Sequence, residues 1–301
     1  MPLTIRPARS QDLPRASELV ATSINDLCAR HGFGPMATVR APTFAAFSLE
    51  DDPRGLWVAE DNGDLRGFAF SWVCDRLWFL AQLFVAPGQQ TRGIGGELIE
   101  RTFEQARAAD AATRALITFS FNTVSQGLYM RYGMFPRCSI YNLSTPVDAL
   151  RARPDGARLR CAPIDKQAPR LDHLARVDAS ALGVPRTKHH RFLLEDGVTR
   201  GYTLHAGDAD ECVGYVYVAD GHIGPLAVAR PELAGAAFGS ALELAAQSGT
   251  AQVSAFVPAS CETALKAALE RGMRITIPMV LMATRDFGNW TQYLPRNPGF
   301  M

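Results

Sequence analysis

The densest set of chemically suggestive residues in this chain is Leu83-Phe-Val-Ala-Pro-Gly-Gln-Gln-Thr-Arg-Gly-Ile-Gly-Gly-Glu-Leu98. It reads as a strand that passes through a proline-glycine turn into a glycine-rich helix start. Backbone N–H groups at a helix N-terminus lack intrahelical partners and carry the positive end of the helix dipole, so a diphosphate can accept several hydrogen bonds there. Gly93, Gly95 and Gly96 remove side chains that would keep a phosphate away, and Arg92 adds charge. Two common nucleotide motifs fail on these residues. A Walker loop needs Gly-Lys-Ser/Thr, whereas Gly95 is followed by Gly96 and Glu97; a dinucleotide fingerprint needs a third glycine where Leu98 stands. The plain alternative is a tight strand-to-helix turn without a ligand.

Other reactive side chains are less organised. The six cysteines, Cys28, Cys74, Cys138, Cys161, Cys212 and Cys261, are scattered singly with no C-x-x-C pair, which fits buried reduced thiols and a cytoplasmic protein. His189 and His190 have no third ligand beside them and read as surface or acceptor-cleft residues, so no metal site is expected.

The chain must supply elements that position the loop. With 301 residues, 47% of them hydrophobic, it is long enough for one large domain or two ordinary ones. Lysine plus arginine (31) nearly cancels aspartate plus glutamate (30), so no global field favours nucleic acid or an anionic membrane. The most apolar stretch, residues 67–86, is broken by Asp75 and Arg76 and reads as two strands and a turn rather than a membrane span. The first residues offer no apolar signal-peptide core.

One order of elements is written twice. Residues 56–60, the turn at 61–64, residues 67–71, the turn at Asp75 and Arg76, and residues 77–85 repeat as 202–206, 207–211, 214–218, Asp220 and Gly221, and 222–228. Helical periodicity follows in both copies, with Ile94, Leu98, Ile99 and Phe103 on one face and Leu242, Leu244 and Ala245 in the second copy. A strand, a short helix ending at Gly133-Met134 or Gly272-Met273, and a final strand complete each copy. This predicts two α/β domains: residues 1–150, residues 151–286, and a tail of residues 287–301 whose aromatics suggest docking. The stretch 151–156 is the expected linker.

Residues 90–95, Gln90-Thr91-Arg92-Gly93-Ile94-Gly95, resemble the (Arg/Gln)-x-x-Gly-x-(Gly/Ala) acetyl-CoA loop of the GNAT N-acetyltransferases. Asn122-Thr-Val-Ser125-Gln-Gly-Leu-Tyr129-Met-Arg-Tyr-Gly133-Met134 is similar to the family's Asn-x-x-Ala/Ser-x-x-x-Tyr segment, and the two motifs stand in the expected order. The resemblance extends from Ile5, Arg6 and Asp12 to about Leu143. It implies two tandem domains, each a mixed, mostly antiparallel twisted sheet flanked by helices. It further implies that residues 90–96, including Gly96, hold the acetyl-CoA diphosphate. Phe84 and Val85 would pair with the pantetheine arm, Asn122 would contact the cofactor, and Tyr129 would protonate the leaving thiolate. Leu128, Tyr129 and Tyr132 at helical spacing also admit a packing role. In the second copy Phe238 stands in place of Gly95 and Ala268 in place of Tyr129, so that copy is expected to have lost acyl transfer.

The implied activity is N-acyl transfer from acetyl-CoA, without a metal, to a small-molecule or peptide amine that attacks directly in a ternary complex. The alternatives are a non-catalytic acyl-CoA sensor and an interaction scaffold. Many family members carry a glutamate where this chain has Gln82; Glu50, Asp51, Asp75 or a water chain stay open as the base, as do the acceptor and self-association.

Overall fold

A computed structural model describes residues 3–90, 93–150, 158–207 and 211–301. The expected linker, residues 151–156, lies outside them. The chain forms two compact units. The first runs through Ile117 and adds Phe121–Phe135 and Ala283–Arg285; the second takes Thr118–Ser120, Pro136–Met282 and Asp286–Met301. Among the described residues, no helix is long and apolar enough to cross a membrane.

In the first unit, β1 (Thr4–Pro7), α1 (Leu13–Arg30) and α2 (Thr43–Asp51) precede a meander of β2 (Leu56–Asp61), β3 (Asp64–Cys74) and β4 (Leu77–Val85). The strands β1 to β4 pair antiparallel in chain order. Asn62 and Gly63 both adopt positive φ, which closes the two-residue turn between β2 and β3 with the twist that a hairpin needs. Then come α3 (Ile94–Ala108), β5 (Thr113–Phe119), which pairs parallel with β4, and α4 (Thr123–Arg131). The predicted face of α3 is buried: Ile94, Leu98, Ile99 and Phe103 all point into the core. A Cβ at Gly67 would lie 2.8 Å from Leu98 Cδ1 and 3.2 Å from Ile94 Cγ2, so the glycine lets α3 sit directly on β3. Arg6 ties β1 to its neighbours by hydrogen bonds to Asp12 (2.7 Å) and Glu60 (2.8 Å).

The second unit contains β6 (Phe135–Pro146) from Pro136 onward, then β7 (Arg160–Pro163), α5 (Leu171–Leu182), α6 (Thr187–Glu195), β8 (Arg200–His205), β9 (Cys212–Ala219) and β10 (His222–Val228). It continues through α7 (Ala234–Ala246), β11 (Gln252–Pro258), α8 (Glu262–Glu270), β12 (Arg274–Ala283) and a short β13 (Tyr293–Leu294). Its strands run in the order β12, β6, β11, β10, β9, β8, β7, with β13 also on β10. The core is built from β9, β10 and β11 against the alanine-rich face of α7 and α8.

His189 and His190 are not surface residues. Both are 1% exposed, because α6 turns them inward beside Asp178 and Arg186. His190 hydrogen-bonds Asp178 through Nε2 (2.9 Å) and Tyr217 through Nδ1 (2.9 Å), while Arg186 makes two 3.0 Å bonds to Asp178. Among the described residues no metal-binding cluster of histidine, cysteine or carboxylate exists.

This buried set has a pH consequence. Burial, reinforced by Arg186 and Lys188, drives the His189 pKa well below its ordinary value. At Asp178 burial alone would raise the pKa, but Arg186 and His190 outweigh it and hold the carboxyl below the usual range. Both depressed groups bind fewer protons folded than unfolded, so both contribute stability that is lost as pH falls. The loss is expected to begin below about pH 6.5, as unfolded His189 protonates, and to steepen below about pH 4 through Asp178, by up to about 1.4 kcal/mol per pH unit for each group. Hydrogen exchange at β9 checks this; equal protection at pH 7 and pH 5 would contradict it.

Candidate functional site

The site is built where β4 leaves its neighbour. Phe70 lies opposite Gln82 and Ser71 opposite Leu80, which makes Ala81 the extra residue of a β-bulge. Pairing of β4 with β5 runs from Leu77↔Thr113 to Leu80↔Leu116 and stops at the same place. Residues 77–80 are buried, whereas 81–85 are half-buried. Beyond the bulge, β4 therefore offers one edge of backbone groups that no described strand takes up.

Parity decides which groups face that edge. Ala86 N–H donates to Arg66 at 2.9 Å, so in the antiparallel ladder Phe84 also turns its backbone groups toward β3 while Leu83 and Val85 turn theirs outward. Of the two expected pairing residues, only Val85 presents its backbone to the open edge. Leu83 also presents its backbone there, and nothing in the sequence marks the bulge at Ala81. The Val85 carbonyl accepts hydrogen bonds from Ser23 (3.3 Å) and Gln90 (3.4 Å).

The glycine-rich turn follows. Thr91 and Arg92 lie outside the described residues. Gly93 is the N-cap of α3 with φ 83°, a left-handed conformation that favours glycine, and it supplies no side-chain cap to the helix. Glu97 N–H closes the first turn on Gly93 at 3.1 Å, which leaves the amides of Ile94, Gly95 and Gly96 without intrahelical acceptors. Ile94 is itself buried and anchors the turn through its side chain. Arg30, at the end of α1, reaches Gln90 Oε1 at 3.3 Å and brings a cation near the turn that no local motif announces.

The second motif lies against the same corner. A Cβ on Gly95 would lie 3.7 Å from Leu128 Cδ2 and 3.8 Å from Val85 Cγ2, and Tyr132 Oη donates to the Gly96 carbonyl at 3.4 Å. The loop, the end of β4 and α4 thus meet at Gly95. Asn122 is the N-cap of α4: its Oδ1 accepts from Ser125 N–H (3.2 Å) and its Nδ2 donates to Ser125 Oγ (2.8 Å). Ser125 in turn hydrogen-bonds Tyr129, one turn further on the same face. Tyr129 is almost fully buried, and burial pushes its pKa well up, with Ser125 opposing. The phenol is held protonated through the neutral range.

Directly after the bulge, Phe70 and Gln82 are cross-strand partners and share a face. Phe44 of α2 stands over Phe70 with ring centroids 5.4 Å apart. Phe33 stacks on Phe121 at 4.9 Å, with His31 beside it. Of the carboxylates considered as a base, Asp75 sits in the β3–β4 turn, roughly 17 Å along the strand from Gln82 at about 3.3 Å per residue. It is too far to act there.

Residues 23–134 match the Acetyltransferase (GNAT) family. Over 99 residues the chain is 32% identical to an uncharacterized N-acetyltransferase of Bacillus subtilis (strain 168), YhfO; the match takes in 31% of this chain and 66% of that protein. Among solved structures, an acetyltransferase from Pyrococcus horikoshii described as putative is similar over 97% of this chain and 92% of its own, with TM-score 0.75 and 20% identity. A GCN5-related N-acetyltransferase from Sphaerobacter thermophilus matches over 96% and 98%, with TM-score 0.63 and 18% identity. A tandem GNAT protein from the clavulanic acid biosynthesis pathway matches over 94% and 98%, with TM-score 0.58 and 18% identity. Residues 23–134 thus carry the GNAT signature, and the chain as a whole has the fold of these solved structures, a tandem GNAT protein among them.

The second unit repeats the splay and lacks the loop. Ile223, which stands where Leu80 does, is the last β10 residue paired with β11, and a register shift follows it. The helix, however, starts early: α7 begins at Ala234, so Ala237, Phe238 and Gly239, which stand where Ile94, Gly95 and Gly96 do, lie inside it with their amides bonded along the helix. Phe238 is fully buried as well.

Proposed function

We propose that the first unit, within residues 1–150, is an acetyl-CoA-dependent N-acyltransferase, that residues 151–286 form a GNAT-like domain without acyl-transfer chemistry, and that residues 287–301 are a docked tail. The observation that carries this reading is the meeting at Gly95 of helix amides without intrahelical acceptors, an open strand edge and the helix bearing Tyr129. The α3 amides, which Gln90, Thr91 and Arg92 precede in the sequence, suit the diphosphate, and the outward backbone groups of Leu83 and Val85 suit the amides of the pantetheine arm.

The amine attacks the thioester carbonyl in a ternary complex; the new C–N bond forms as the C–S bond breaks. Tyr129 gives its proton to the departing sulfur and recovers one from solvent through Ser125. Gln82 is no base and Asp75 is remote, so the amine's proton leaves to water or to Glu50 or Asp51 at the end of α2. The acceptor enters over Phe44, Phe70 and Gln82, a face that suits an uncharged, partly apolar amine. A second reading, an acyl-CoA sensor, is favoured by the same Gln82.

Calorimetric titration of acetyl-CoA, combined with thiol release across a panel of small amines and peptides, separates the two. Binding with thiol release is expected; binding with no release for any acceptor would favour the sensor, and no binding would reject both.

A further inference from the structure

The second unit's open edge is already filled. Residues of the tail run antiparallel along β10 beyond its splay, with Leu294 opposite Leu226 and Tyr293 opposite Ala227. Val228 N–H, in the position of Val85, donates to the Gln292 carbonyl at 3.0 Å, and Ala229 N–H turns the other way to Val213 at 2.8 Å, as Ala86 turns to Arg66. The duplicated copy thus displays, with a peptide, the parity argued above for Leu83 and Val85.

The route matches as well. Cys261, the N-cap of α8 as Asn122 is of α4, donates to the Thr291 carbonyl at 3.1 Å. At the other end a Cβ on Gly224, in the position of the bulged Ala81, would lie 2.7 Å from the Pro295 carbonyl oxygen and 2.8 Å from Arg296 Cα. The segment therefore travels from the helix cap, along the strand edge, to the bulge. Trp290, Gln292, Tyr293 and Leu294 are all buried. Asn289 N–H donates to the Ala181 carbonyl (2.6 Å), and Arg186 donates to the Met301 main-chain oxygen, fixing both sides of the strand.

We propose that residues 289–296 are a permanent intramolecular occupant of the second unit's cofactor groove, a peptide strand lying where an acyl-carrier arm would lie. This rests on reading the β4 edge as the pantetheine track. It explains how the second copy keeps a splayed sheet without a ligand: the tail takes up the backbone groups that the splay exposes. The chain then has one acyl-CoA site.

The test is amide exchange on the full chain. Without ligand, Val228 is expected to exchange at least about 100-fold more slowly than Val85. Saturating acetyl-CoA should slow Val85 and leave Val228 unchanged, at one equivalent bound per chain. A companion protein carries a protease site between Asp286 and Phe287 and is cut only after folding; the released 287–301 peptide should co-elute with the body on gel filtration. Rapid Val228 exchange in the intact chain, loss of the peptide on cutting, or slowing of Val228 by acetyl-CoA would each overturn the proposal. Failure of acetyl-CoA to protect Val85, with Val228 still protected, would instead remove the cofactor reading on which the groove's name depends.

Discussion

Gly95→Phe is expected to weaken acetyl-CoA binding by at least about 100-fold, or roughly 2.7 kcal/mol, with the first unit still folded. The position faces Leu128 and Val85 at ordinary contact distance, so a methyl group fits and a phenyl ring does not. A ring there must swing over the α3 amides, where the diphosphate would lie, and the second unit carries this residue in Phe238. Gly95→Ala is the control: it adds only the tolerated methyl and should keep most of the affinity. Calorimetry on the three proteins, with melting curves to establish folding, gives the comparison. Equal affinity in Gly95→Phe would place the cofactor elsewhere.

Tyr129→Phe is expected to lower kcat by roughly 10²- to 10³-fold while changing KM for acetyl-CoA little, the pattern of a lost general acid. The hydroxyl is buried, hydrogen-bonded to Ser125 and held protonated by desolvation, so it can give a proton to a thiolate throughout the neutral range. Ser125→Ala, which leaves the phenol but removes its relay, should cost less. A thioester whose thiol is a much stronger acid needs no protonation on departure, so the Tyr129→Phe defect should shrink with that donor. A defect of the same size with both donors, or one confined to KM, would mean that Tyr129 only packs α4 against the sheet.

Much of this was legible in the residues because it is local. Glycine at residues 93, 95 and 96 after a hydrophobic strand specifies a bare helix start, and the spacing of Asn122, Ser125 and Tyr129 places them on one face of a short helix whatever surrounds it. The duplication was legible too, because each copy repeats strand, turn, strand, turn and strand in one order, with Asp75-Arg76 answered by Asp220-Gly221. The buried face of α3 follows from its period.

What only the tertiary structure decided depends on parity and on distant partners. A β-bulge changes which side of a strand every later residue presents, and Ala81 carries no mark of one, so the exchange of Phe84 for Leu83 on the open edge could not be read from the chain. The sequence showed Phe238 but not that α7 starts a turn early and consumes the amides its counterpart leaves free. His189 and His190 look like polar surface residues until α6 is packed, when burial among Asp178, Arg186 and Tyr217 makes them part of the core. The tail's aromatics promised docking, but an exposed strand edge accepts any chain that can supply the matching backbone groups. Its occupant is fixed by long-range geometry rather than by local pattern.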